Sequence, residues 1–143
     1  MDFSDSYAKG VQVVIVKEDS DIKTIDDLAG KKIGVQLNTT GDIYATEDFG
    51  KDNVQQFNKA TDTVLALTQG KVDAVIIDKA PAEVFVQQNE GLTLLSSSYA
   101  DEDYAICFKK GNTELQKAVN DALNELIEDG TVQAIIDKYI PAE

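Results

Sequence analysis

Apolar residues in this chain fall into two kinds of stretch, short β-branched runs and longer segments with an apolar residue at every third or fourth position. Val11 to Lys17 (Val-Gln-Val-Val-Ile-Val-Lys) is the first run, and Lys32 to Leu37, Val54 to Phe57, Val72 to Ile77 and Leu92 to Leu95 follow it. Runs this uniform leave no wet face, so they predict strands covered on both sides. Between them lie helical segments. Thr24 to Gly30 reads as a short helix with Thr24 as cap and Gly30 as stop. A helix from Asp42 to Asp48 closes at Gly50. Asn58 to Gln69 places Ala60, Val64 and Leu67 on one face, and Pro81 suits the first turn of a helix running to Gln88. The alternation predicts an α/β layer with a mostly parallel sheet.

The tail has a different rhythm. Tyr104 to Lys110 reads as a strand, and Thr113 to Asp129 is the most regular helix in the chain, with Leu115, Ala118, Val119, Ala122, Leu123, Leu126 and Ile127 on one face. Gly130 ends it. A last helix follows, capped by Thr131, carrying Val132, Ile135, Ile136 and Tyr139, and stopped by Pro141.

With 143 residues the chain is long enough to bury a core without staples. Its formal net charge of -13 repels a phosphate backbone or an anionic membrane, so nucleic acid is not an expected partner. All of the positive charge is lysine. Without arginine or histidine the chain offers no bidentate guanidinium clamp, no histidine triad and no histidine metal ligand, and neither a metal nor a cofactor is expected. Cys107, between Ile106 and Phe108, reads as a thiol buried in a strand. No apolar run reaches the length of a membrane span, and Met1 to Asp5 resembles neither a secretory signal nor a transit peptide.

Candidate chemistry sits at the ends of two strands. Lys32 to Gly41 is a strand running through Thr39-Thr40-Gly41 into a helix, which gathers hydroxyls and helix-start N–H groups at one spot and favours an anion such as a carboxylate. Asp78 ends another strand. Ligands of open α/β sheets gather at the carboxyl ends of the strands. If the two strands are neighbours, the donors at Thr39, Thr40 and Gly41 complement an α-carboxylate and Asp78 complements an α-ammonium group, the two charges of a zwitterion. Each half also has a plain reading, Thr39 or Thr40 capping its own helix and Asp78 capping the helix of Pro81.

Several segments together resemble a family. Asp2-Phe-Ser-Asp-Ser-Tyr7, Val13-Val-Ile-Val-Lys17, Leu28-Ala-Gly-Lys-Lys-Ile-Gly-Val-Gln36, Thr39-Thr-Gly41, Gly70-Lys-Val-Asp-Ala-Val-Ile-Ile-Asp78 and Asp129-Gly-Thr131 are similar to the polar amino-acid solute-binding proteins of ABC importers, which have the type II periplasmic binding protein fold. The similarity extends over essentially the whole chain in one order. It implies a three-layer Rossmann-like lobe plus C-terminal helices from a second lobe, and a first lobe that begins upstream of Asp2. On that correspondence residues 1–7 are a crossover, 8–103 a complete second lobe, and 104–143 the returning strand and closing helices of the first.

The resemblance also implies roles. Thr39 and Thr40 bind the ligand carboxylate, Asp78 its ammonium group, and Gln36 faces its side chain, while Gly41 and Asn38 belong to the turn. Asn38 replaces a glycine frequent in the family before Thr-Thr, and its side chain can narrow or rewire that turn. Tyr7 and Tyr104 fall near the crossovers, where a hinge is expected. The implied partners are an L-amino acid and the membrane subunits of an importer, and the implied location is extracytoplasmic, in the periplasm or as a cell-surface lipoprotein. The implied half site binds its ligand weakly or not at all. Two other readings stand beside this one. Relatives such as cyclohexadienyl dehydratases use the same cleft for proton transfer, and the apolar face from Leu115 to Ile127 suits a scaffold that folds back or exchanges tails in a homodimer.

Overall fold

A computed structural model describes residues 1–139, so the stop expected at Pro141 lies outside the described residues. The chain divides into two compact units, Val11–Asp101 and a second made of Met1–Gly10 with the described residues from Glu102 on. It crosses between them within strand β2 (Ala8–Lys17) and within β7 (Ala100–Tyr104).

The larger unit is built on a sheet of order β4-β3-β5-β2-β6, with β3 at Ile33–Gln36, β4 at Val54–Phe57, β5 at Ala74–Asp78 and β6 at Leu92–Leu94. β3 pairs in parallel with both β4 and β5, whereas β2 runs antiparallel to both β5 and β6. Four of these five strands therefore point one way and β2 alone is reversed. The mostly parallel sheet expected from the apolar runs is present as a mixed sheet, with its one reversed strand inside it.

Both faces are covered, which is why the runs carry no polar alternation. Alternate residues of β2 enter different cores. Val13 and Ile15 join Val75 and Ile77 under helices α2 (Ala60–Thr68) and α3 (Lys79–Gln88), with Val64, Leu67 and Ala82 in contact. Val14 and Val16 join Ile33, Val35 and Ile76 on the other face, under Leu28 of a single 3-10 turn (Ile25–Leu28) and Ala45 of helix α1 (Thr40–Phe49). This is the expected three-layer lobe. A fully buried aliphatic side chain contributes about 1.5–3 kcal/mol, so the dozen or so here supply the main stabilising term.

In the smaller unit, β1 (Asp2–Phe3) pairs antiparallel with β8 (Cys107–Phe108), followed by α4 (Thr113–Glu128) and α5 (Thr131–Tyr139). Polar ties hold β1 and the segment after it to α4: Asn120 and Asn124 donate to the Asp5 carboxylate at 2.8 and 2.9 Å, and Gln116 donates to the Phe3 carbonyl at 2.6 Å. Those two amides hold Asp5 below the usual carboxylate range.

Two expectations change here. Phe108 is buried while Cys107 is exposed, because in a two-residue strand with one paired neighbour only one side meets apolar cover. Thr131 opens α5 without capping it. The Asp129 carboxylate instead accepts the Thr131 N–H at 2.8 Å. No described residue of α4 or α5 is buried, and Leu115, Leu126, Ile127 and Ile135 are 49%, 43%, 38% and 53% exposed.

Candidate functional site

The β3–β5 pairing makes neighbours of the two strand ends singled out in the sequence. β3 ends at Gln36, and the chain turns at Asn38 with φ +62, in the left-handed region that asparagine and glycine tolerate best. The asparagine thus takes a backbone path that is also open to a glycine. α1 starts two residues later, with Thr39 as its N-cap.

Thr39 does what a cap does. Its hydroxyl donates to the Gln36 carbonyl at 2.8 Å and accepts the Asp42 N–H at 3.3 Å. The capping reading describes its side chain, and what Thr39 offers a ligand is the helix start it fixes. Thr40 and Gly41 stand in the first turn, where the helix itself supplies no acceptor for their N–H groups and its dipole favours an anion.

Asp42 locks this turn from beneath. It is 5% exposed, and its carboxylate accepts the Asn38 N–H at 2.9 Å, the Thr46 hydroxyl at 3.2 Å and the Gln56 amide at 2.7 and 2.9 Å. A buried carboxylate held by neutral donors fixes the loop without placing a cation near the site. The far end of α1 is also anchored. The Tyr99 ring stacks on Phe49 and its hydroxyl donates to Asp48 at 2.5 Å; burial first, then that bond, push the hydroxyl's titration up.

Asp78 ends β5 and precedes α3, but its carboxylate makes no capping bond. It is exposed at the rim and accepts a hydrogen bond from Gln12 Nε2 at 2.6 Å. The same nitrogen donates to Thr40 Oγ1 at 3.1 Å. One buried amide therefore joins the carboxylate of one strand end to the hydroxyl of the other. Gly41 lies against the same amide: a Cβ there would stand 2.8 Å from Gln12 Oε1 and 3.3 Å from the Ile76 carbonyl, so a side chain at this position would displace the amide.

Gln36 is placed differently. The register pairs Gly34 with Val75 and Val35 with Ile76, so Gln36 follows Gly34 onto the α2 face, while Gln12 and Asp78 share the α1 face. Its carbonyl, which anchors Thr39, is its link to the turn. In the smaller unit the Tyr7 N–H donates to the Tyr104 carbonyl at 3.0 Å.

Sequence reasoning passed over Gln12, Asp42 and Gln56. The signal for Gln12 was an amide inside an aliphatic strand covered on both faces, because a buried amide needs partners. A shallow hollow lined by Lys17, Asp21, Ile22, Leu67 and Asp73 lies elsewhere in this unit and shares no residue with the site. Among the described residues no group of three or more His, Cys, Asp or Glu side chains is placed to hold a metal, and no helix is long and apolar enough to cross a membrane.

The model of bacterial extracellular solute-binding proteins, family 3, matches residues 1–142. The L-cystine-binding protein TcyJ of Escherichia coli (strain K12) is 33% identical over 145 residues, covering 99% of this chain and 54% of the relative. The ABC transporter glutamine-binding protein GlnH of Bacillus subtilis (strain 168) is 31% identical over 147 residues, covering 100% of this chain and 54% of the relative. Among solved structures, the arginine-, lysine-, histidine-binding protein ArtJ from Geobacillus stearothermophilus superposes with a TM-score of 0.76 at 38% identity, covering 99% of this chain and 63% of that one. The chain spans about half the length of the curated relatives it matches.

Proposed function

This chain belongs to the bacterial extracellular solute-binding proteins, family 3, and from that premise we propose that it carries one wall of an amino-acid site serving an ABC importer outside the cytoplasm. The start of α1, with Thr40 and Gly41, takes the ligand's α-carboxylate. Asp78 takes its α-ammonium group. The observation that carries this reading is the Asp78 carboxylate, which stands at the start of a helix without capping it and is held 2.6 Å from the amide that also holds Thr40. A carboxylate kept at a rim in a fixed orientation, beside a helix N-terminus, complements both charges of a zwitterion at once.

Gln36 and Asn38 shape the turn through their backbones, and Tyr7 and Tyr104 mark the crossover at which opening and closing would occur. Relatives named for cystine, glutamine and arginine support an amino acid as the ligand class. Catalysis is not part of the proposal. Beside Thr40 the two carboxylates are Asp78, assigned to the ammonium group, and Asp42, enclosed by four hydrogen bonds, so neither is poised to move a proton of a substrate.

The sequence has no arginine with which to clamp a carboxylate. Buried charge-assisted contacts contribute about 1.5–3 kcal/mol each, so two missing contacts reduce affinity by about a hundredfold or more. Calorimetry with a panel of L-amino acids is expected to show dissociation constants in the millimolar range at best, weakened further by Asp78→Asn. Micromolar binding would overturn the weak-site proposal, and binding indifferent to Asp78→Asn would overturn the assignment of Asp78.

A further inference from the structure

Gln12 is an amide in a strand whose flanking residues are aliphatic, and it is 1% exposed. Both of its N–H donors are spent on the site, one on Thr40 Oγ1 at 3.1 Å and one on Asp78 Oδ1 at 2.6 Å. Its orientation is fixed by electrostatics, because reversing the amide would set Oε1 against the Asp78 carboxylate, acceptor against acceptor. Its backbone is fixed as well. Gln12 lies opposite Asp78 in the β2–β5 ladder, and its carbonyl accepts the Tyr99 N–H at 2.7 Å. On its third side Oε1 is wedged over Gly41, where only the absence of a Cβ leaves room.

We propose that Gln12 is a positioning residue that holds the Asp78 carboxylate and the Thr40 hydroxyl at one fixed separation, so that the site measures the spacing between a ligand's ammonium and carboxylate groups. The inference rests on the assignment of those two residues to an amino acid. A glutamine suits this task because it is neutral: it orients Asp78 by hydrogen bonding and leaves its charge for the ligand, whereas a lysine there would occupy the carboxylate itself. An α-amino acid has one carbon between its ammonium and carboxylate groups and a β-amino acid has two. With Asp78 and Thr40 tied together, the site matches the shorter spacing and rejects the longer one. With the tie removed, this amide no longer sets the separation of the two groups, and the two ligands are met about equally.

The test compares L-arginine with L-β-homoarginine as probes, followed by NMR chemical-shift titration of the full chain, which reads millimolar affinities. The wild-type chain is expected to favour the α form by about tenfold or more, the discrimination one methylene commonly allows in a shaped site. Gln12→Met, similar in volume but without donors, is expected to bring the ratio to within about twofold. Gln12→Asn, which keeps the amide and is one carbon too short to bridge, is expected to do the same and serves if the Met variant fails to fold. Equal weakening of both probes with an unchanged ratio would mean that Gln12 only supports the fold, and would overturn the inference while leaving the amino-acid assignment standing. L-arginine binding unaffected by Asp78→Asn would instead remove that assignment and the inference with it.

Discussion

Gln56, in the middle of β4, donates its side-chain amide to both oxygens of Asp42, at 2.7 and 2.9 Å, and so ties an outer strand of the sheet to the first turn of α1. Asp42 in turn accepts the Asn38 N–H from the preceding turn. The loop that presents Thr40 and Gly41 is therefore held by a buried carboxylate and not by the loop's own backbone alone.

Removing that carboxylate leaves three donors without their acceptor. Asp42→Ala is expected to destabilise the chain by about 3 kcal/mol, since each buried donor left unsatisfied costs about 1–3 kcal/mol and part of the loss is recovered by water. Asp42→Asn, which retains one carbonyl oxygen, is expected to cost about half as much. Urea denaturation of the two variants checks the order. An Asp42→Ala variant as stable as wild type would show that the network is not what holds the turn.

The turn itself separates backbone from side chain. Asn38 has a φ of +62, and a β-branched residue in that region costs about 1–2 kcal/mol more than glycine. Asn38→Gly is expected to leave stability within a few tenths of a kcal/mol, and Asn38→Val to lower it by about 1–2 kcal/mol, read from denaturation midpoints. If Val were tolerated as well as Gly, the left-handed turn would not be maintained in solution.

The layers and most element boundaries were legible because burial on both faces forces aliphatic runs, and because Gly50, Gly70 and Gly130 stop helices where φ is positive. Asp78 and the Thr39–Gly41 turn were legible as strand-end residues. Which of them reach each other was not. Gln36 is two residues before Asn38, but the pleat sends it to the α2 face, and that depends on the register with β5. Gln12 is 28 residues from Thr40 and 66 from Asp78, and the reversal of β2 that brings the three together leaves no local mark. Cys107 misled for the opposite reason: its apolar neighbours read as core, but in β8 only Phe108 turns inward.

Acid should find particular weak points. The Lys23 and Thr24 backbone N–H groups, at 3.0 and 2.9 Å, hold Asp27 below its ordinary range, with the Thr24 hydroxyl adding to them. The Thr131 side chain and N–H do the same for Asp129. A carboxylate depressed in the folded chain stabilises it fully above the unfolded value, about 3.9, and that contribution is lost as pH falls through the folded value. Asp27→Asn is therefore expected to melt below wild type at pH 6, with the gap closing as pH falls below about 4. A gap that persists at the lowest pH would mean that shape, not charge, makes the contribution.

Mutations in the two units are expected to act on different properties. Ile15 is 0% exposed in the core of the larger unit, and Ile15→Ala is expected to cost about 2–5 kcal/mol through lost burial and an unfilled cavity. Leu126 is 43% exposed on α4, so Leu126→Glu should change stability by no more than about 0.5 kcal/mol. Its effect should appear elsewhere. Leu115, Leu126 and Ile127 keep the helical spacing of a buried face while standing 38–49% exposed, and apolar surface of that kind associates in water. Light scattering after size exclusion is expected to show a mass that rises with wild-type concentration and a lower one for Leu126→Glu at each matched concentration. A wild-type mass that stays at one chain throughout would show that this face does not drive association, and the exchanged-tail arrangement would go with it.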